Sequence, residues 1–192
     1  MWMRSLSKSY HPDFLNDYPD AEEDISDDFP PAYGSELETS IFVDSDHAHD
    51  ITTRRSITGI IQFVGSTPVA WSSRRQSCIA TSTYCAKFVA MRVAVEEAIS
   101  LRYMLRCLGI PVPRHKPTNL YGDNWSIIQS ASIPDSELKK KHVAISYHYV
   151  REAIAAQIVN PIWIRSAENF SDICTKAVGG NIFDSHVHEL MA

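Results

Sequence analysis

Alternation of apolar and polar positions marks the first ordered element. From Ile41 the chain reads Ile-Phe-Val-Asp-Ser-Asp; in a strand, Phe42, Asp44 and Asp46 face one side while Ile41, Val43 and Ser45 face the other. Two further β-prone runs, Ile57 to Val64 and Pro68 to Ser72, are joined by Gly65-Ser66-Thr67, so an antiparallel meander is predicted. The period then changes. After Ser82 and Thr83, which suit a helix N-cap, Tyr84, Phe88, Met91, Val95 and Ile99 recur at helical spacing. Apolar positions continue through Met104, Leu105 and Leu108 to Gly109, which predicts one long helix or two in tandem. Beyond a Pro-rich loop, Asn119-Leu120-Tyr121 reads as a short strand ending at Gly122-Asp123-Asn124, and Trp125 to Ala131 as a helical turn or two. Val143, Tyr147, Val150 and Ile154 mark an amphipathic helix, Ile158 to Ile164 a last strand, and Glu168 to Lys176 a short helix carrying Asp172. The segment from Gly179 reads as a loosely packed tail, with His186 and His188 expected in solvent.

With 192 residues and 44% hydrophobic content, the chain has material for one good core and not for two full-sized domains. The stretch from His11 to Ser40 is acidic and Pro-containing with little apolar periodicity. The predicted organisation is therefore an acidic connecting segment over 1–40, a domain over 41–178 and a tail over 179–192. Charge follows the same division. Through Ser40 there are ten acids against Arg4 and Lys8, and thereafter thirteen acids against sixteen Lys and Arg. A mildly basic body is compatible with an anionic polymer but is not by itself the footprint of a nucleic-acid binder. Cys78, Cys85, Cys107 and Cys174 form no CxxC pair, so buried free thiols are expected in place of a zinc site. The N-terminal stretch has no signal-peptide core, and no apolar run reaches membrane-spanning length. The expectation is an intracellular protein, cytoplasmic or nuclear, with no membrane partner.

Acids thus fall at the end of the first strand (Asp44), at the end of the fourth (Asp123) and in the last predicted helix (Asp172). A carboxylate at the end of a buried strand has to be solvated, paired or bound to a metal. The order of elements coincides with a series of short motifs: Val43-Asp44-Ser45-Asp46-His47-Ala48, Thr53-Arg54-Arg55-Ser56-Ile57-Thr58-Gly59, Trp71-Ser72-Ser73-Arg74-Arg75-Gln76, Ser82-Thr83, Leu120-Tyr121-Gly122-Asp123-Asn124, Lys141-His142-Val143, and Ala167 through Ser171-Asp172-Ile173 to Thr175-Lys176. Taken together and in this order, they resemble the ribonuclease H domain of a copia-type LTR retrotransposon Pol polyprotein, over nearly everything after Ser40.

The resemblance implies an α/β ribonuclease H-like fold: a mixed five-stranded sheet, helices on both faces, and the Ile41 strand at its centre. It also implies cleavage of the RNA strand of an RNA–DNA hybrid by two Mg2+ ions held on four carboxylates, with a reverse transcriptase domain upstream in the same polyprotein. Carried over by position, Asp44 would bridge the metals, Asp123 would bind one, and Asp172 would complete the set. The family's glutamate falls in a Ser-Thr-x-x-Ala-Glu pattern that here reads Ser82-Thr83-Tyr84-Cys85-Ala86-Lys87. Lys87 therefore stands where a metal ligand is expected. It is predicted to project into the acids and pair with Asp44 or Asp123. Glu96 and Glu97 lie about 14 Å further along the helix, too far to substitute, and Asp46 is a further candidate ligand.

Arg74, Arg75, Ser82 and Thr83 are candidate phosphate contacts, against the plainer readings of exposed arginines and an ordinary N-cap. The run Lys139-Lys140-Lys141-His142 reads equally as a solvated helix start or a phosphate contact. Trp71 is expected in the core. His47 and His49 are expected to be exposed side chains in preference to metal ligands. The leading reading is a retrotransposon-derived ribonuclease H-like domain with cleavage impaired by Lys87. The alternative is a non-catalytic nucleic-acid-binding or structural remnant. An integrase-like enzyme on the same fold fits the acid in the terminal element less well.

Overall fold

The computed structural model describes residues 13–136, 138 and 141–191. A short helix α1 (Phe14–Asp17) precedes the strands β1 (Thr39–Asp46), β2 (Ile57–Val64) and β3 (Thr67–Arg75). There follow α2 (Thr83–Cys107), β4 (Thr118–Gly122), α3 (Trp125–Ser132), α4 (Ala144–Ala155), β5 (Val159–Trp163) and α5 (Gly180–Met191). Single 3-10 turns form at Lys141–Val143, Ser166–Glu168 and Phe170–Cys174.

The five strands form one mixed sheet in the order β3-β2-β1-β4-β5. β1 runs antiparallel to β2 and parallel to β4, and β4 runs parallel to β5, so β1 is central. Central placement explains its two-sided burial. Ile41 and Val43 join the main core with Phe88, Met91, Val95 and Leu120. On the opposite face Phe42 meets the rings of Phe63, Tyr121 and Phe170 at centroid distances of 5.4, 4.8 and 4.8 Å. Helices thus cover one face of β1, and the turn at Phe170–Cys174, with α5 behind it, covers the other.

α2 is one continuous helix. Its start is fixed by Ser82, whose hydroxyl accepts from the Cys85 amide at 3.3 Å. Its end is set by Gly109, which follows the last turn at φ 72°, a left-handed conformation open to glycine without cost. Gly59 has a different reason. It pairs with Asp44 across β1 and β2. A Cβ there would lie 2.6 Å from Thr175 Cγ2, 2.7 Å from the Ser171 carbonyl oxygen and 2.8 Å from Cys174 Cβ. Only a bare α-carbon lets the turn that carries Asp172 lie directly on the strand beside Asp44.

Five sequence expectations are corrected. The free thiols are not all buried: Cys85 is, but Cys78 and Cys107 are exposed and Cys174 is partly so. The acidic lead-in is not a detached linker, because Phe14 is fully buried and Glu23 is 5% exposed. Arg102, itself fully buried, and Arg106 each place two nitrogens on the Glu23 carboxylate at 2.6 to 2.8 Å, and their remaining donors reach the carbonyls of Val112, Pro113 and Lys116. Tyr33 N–H donates to the Gly109 carbonyl at 2.8 Å. The segment is docked by ion pairs and backbone bonds, which leave no apolar periodicity. The tail contains α5, on which His188 is exposed but His186 is 4% exposed, its ring 5.3 Å from Phe170 and nearly perpendicular to it. Trp71 is 73% exposed because β3 is an edge strand and Trp71 lies on its solvent side. Finally, Asp172 sits in a 3-10 turn, not in a regular helix. Of the basic run, Lys139 and Lys140 lie outside the described residues, as do residues 1–12 with Arg4 and Lys8.

Candidate active site

Strand register brings together acids that are distant in the chain. Val43 pairs with Gly122 where β1 and β4 run parallel, so Asp44 and Asp123 leave neighbouring strands side by side. Asp172 arrives from the turn that Gly59 admits. One carboxylate oxygen from each of the three lies within 4.8 Å of the others, and among the described residues this is the one group of three or more potential metal ligands that converges. Asp44 is 4% and Asp172 6% exposed.

Lys87, in the second turn of α2, points into this cluster. Its Nζ lies 2.6 Å from Asp44 Oδ1 and 2.5 Å from Asp123 Oδ1. The other oxygens are also engaged. Thr175 Oγ1 donates to Asp44 Oδ2 at 2.7 Å, Ser166 Oγ donates to Asp123 Oδ2 at 2.7 Å, and Lys176 Nζ lies 2.9 Å from Asp172 Oδ2. Among the described residues, the buried Asp172 Oδ1 finds no hydrogen-bond partner.

These contacts set the titration behaviour. Burial would raise the Asp44 carboxyl, but the Lys87 charge and hydrogen bond, with the Thr175 hydroxyl, outweigh it and hold Asp44 below its ordinary value. Burial would likewise lower Lys87, and the two carboxylates reverse this and raise it. Both partners move toward their charged forms, so the pair is ionised. Asp172 goes the other way: burial, aided by the Asp44 charge, pushes it up to about 6 in spite of Lys176.

The remaining candidates lie apart from the triad. Asp46 is held by His49 at 2.6 Å and does not join the converging carboxylates. Arg75 pairs with Asp50 at 2.8 Å, and Arg74 lies 3.7 Å from Glu97, both on exposed positions of β3. Ser82 caps α2, which begins at Thr83. Sequence reasoning missed the second layer. Asn169, fully buried, donates to the Val43 carbonyl at 3.1 Å and accepts from Ser171 N–H and Oγ, so it ties the turn of Asp172 to the strand of Asp44. The signal was present as an Asx pattern, Asn169-x-Ser171, and as Thr175 and Lys176 one turn beyond Asp172.

No family model matches the chain. Over 143 residues, 74% of its length, it is 31% identical to the retrovirus-related Pol polyprotein from transposon TNT 1-94 of Nicotiana tabacum. Over 157 residues, 82% of its length, it is 25% identical to the corresponding polyprotein from transposon RE1 of Arabidopsis thaliana. The chain spans about a tenth of the length of these relatives, 10% and 11% respectively. Among solved structures, the N-terminal RNase H domain of a Mycobacterium tuberculosis protein superposes with a TM-score of 0.54 at 14% identity, covering 80% of this chain and 98% of that one. RNase H1 of Halobacterium salinarum gives 0.51 at 12% identity, covering 79% and 99%. At such identities the likeness speaks to the fold.

Proposed function

The chain belongs to the ribonuclease H-like domains of retrotransposon Pol polyproteins, and from that premise we propose that it binds an RNA–DNA hybrid along the triad but cleaves the RNA strand weakly or not at all. The observation that carries this reading is the Lys87 ammonium between Asp44 and Asp123. The donors are of the right kind for Mg2+, a hard cation that takes carboxylate oxygens, and paired ions about 4 Å apart are suited to activating water and stabilising a leaving oxygen. The arrangement is not. Lys87 holds one oxygen of each of two acids, hydroxyls hold the others, and an ammonium repels a divalent cation from the same space. Of the triad's oxygens, Asp172 Oδ1 is the one without a hydrogen bond among the described residues.

Hybrid binding does not depend on those oxygens. Phosphate contacts from Arg74, Arg75, Ser82 and Thr83 are part of the proposal, as are a reverse transcriptase domain in the same polyprotein and an intracellular setting. Among the described residues no helix is long and apolar enough to cross a membrane. The test is a cleavage assay on a labelled RNA–DNA hybrid with Mg2+, run on the unmodified protein and on Lys87→Glu, with binding followed by anisotropy. Both proteins are expected to bind, and the substituted one to cleave faster. Equal cleavage rates would sink the role given to Lys87. Absence of hybrid binding would leave a purely structural remnant as the better reading.

A further inference from the structure

Two indoles stand beside the triad and the chemistry above makes no use of them. Trp125 is 56% exposed and Trp163 39% exposed, although tryptophan gains more from burial than most residues. Their rings are perpendicular, at 86°, with centroids 5.9 Å apart. Both are placed next to Asp123. Trp163 Nε1 donates to the Asp123 backbone carbonyl at 3.1 Å. Trp125 opens α3 directly behind Asn124, whose side chain caps that helix by accepting from Ile127 N–H at 3.1 Å. Trp163 is thus tied to the Asp123 backbone, and Trp125, two residues after Asp123, packs its ring on Trp163, so both indoles lie near that acid.

We infer that Trp125 and Trp163 form a stacking platform for an unpaired nucleobase on a strand that leaves the triad. The inference rests on the reading that nucleic acid lies along the triad, and it adds that the domain distinguishes a hybrid with a single-stranded end from a blunt one. Three features select this occupant. A flat, rigid aromatic face matches the π-face that every base presents, and this is how sequence-tolerant single-strand binders gain affinity. Bases inside a duplex already stack on each other, so only an unpaired one offers a free face. Asn124 and Ser126, which flank Trp125 in the chain, are polar, and Arg165 lies two residues beyond Trp163, which suits a sugar–phosphate backbone. In this arrangement one indole stacks on the base while the other, at right angles, forms a wall against its edge or sugar.

The test is binding by fluorescence anisotropy in Mg2+-free buffer, using the full chain and three probes: a blunt RNA–DNA hybrid, the same hybrid with a short single-stranded overhang at either end, and the single strand alone. For the unmodified protein, the overhang is expected to tighten binding about 5-fold to 150-fold, the range expected for one stacked base. Trp125→Ala is expected to lose that gain and Trp125→Phe to keep most of it, with blunt-hybrid affinity unchanged in both. Quenching of the unmodified protein's indole fluorescence by the overhang probe gives a readout that needs no substitution, should Trp125→Ala fail to fold. Blunt-hybrid binding with no gain from an overhang, or a gain that survives Trp125→Ala, overturns the platform and leaves the hybrid reading standing. Trp125-dependent binding of the single strand without blunt-hybrid binding supports the platform and overturns the hybrid reading. Binding of none of the probes overturns both.

Discussion

Substituting Lys87 by Glu should make the fold dependent on Mg2+. The Lys87, Asp44 and Asp123 side chains are 15%, 2% and 12% exposed, so this is a buried ion cluster and not a screened surface pair. Removing one partner of a buried pair costs about 3–5 kcal/mol, because the charge left behind has lost its compensation. In Lys87→Glu, the hydrogen bonds left are the Thr175 hydroxyl on Asp44 and the Ser166 hydroxyl on Asp123, Lys176 remains as the one nearby ammonium, and a further carboxylate is added. The upper part of that range is therefore expected. At roughly 2–4 °C per kcal/mol for a chain of this size, the melting temperature in EDTA should fall by about 8–20 °C. Mg2+ then has a four-carboxylate site to enter. At a hundred times its Kd it should restore about 2.7 kcal/mol, or about 5–11 °C. Lys87→Met separates the two effects, since it loses the ammonium without gaining a ligand and should show the loss with little recovery. The assay is thermal unfolding of all three proteins in EDTA and across an Mg2+ titration. A melting temperature for the unmodified protein that rises with Mg2+ as steeply as that of Lys87→Glu would refute the argument. So would an undiminished one for Lys87→Glu in EDTA.

Glu23→Gln keeps the shape of the side chain but leaves the buried Arg102 and Arg106 without their shared counter-charge, so a loss of about 3–5 kcal/mol is expected. Faster proteolytic cutting within 13–38, measured against the unmodified protein at a temperature where both are folded, would show that the lead-in has come off the helix. The pH dependence of unfolding should carry the mark of Asp172. Burial lifts its carboxyl from 3.8 to about 6, so between those values the folded protein binds more protons than the unfolded chain, and this group's contribution to stability falls as pH rises. Asp44 acts in the opposite sense below its ordinary 3.8, because its folded value is depressed and acidification removes its contribution. Asp172→Asn should therefore flatten the melting-temperature profile between about pH 4 and 6 while leaving the acid limb intact. An unchanged slope would show that other groups set it.

What was legible in the sequence was whatever rests on local period. The alternation at Ile41 to Asp46, the helical spacing from Tyr84, and the acids at strand ends gave the order of elements, and the parallel pairing of β1 with β4 then places Asp44 beside Asp123 without further instruction. The parts that were not legible rest on single long-range contacts. Glu23 meets Arg102 and Arg106 across 79 and 83 residues, and no periodicity announces a buried charge pair. α5 was hidden for the opposite reason: Ile182, Phe183 and Met191 are 49%, 48% and 82% exposed, so its apolar residues do not mark its buried side. Trp71 misled because strand pattern does not say which face of an edge strand is covered.

Lys87 joins the two kinds of information. Its position one turn into α2 is local, but its meaning comes from charge arithmetic that only the assembled site reveals. Asp44, Asp123 and Asp172 meet two ammonium groups, Lys87 and Lys176, which leaves one negative charge in excess. The excess falls on Asp172, the acid with an unpartnered buried oxygen, and that acid's carboxyl is pushed up to about 6, where a proton neutralises it. Here the protein's own cations, with a proton at mildly acid pH, close the charge balance, so the fold can persist without the divalent metal that the proposed cleavage would need.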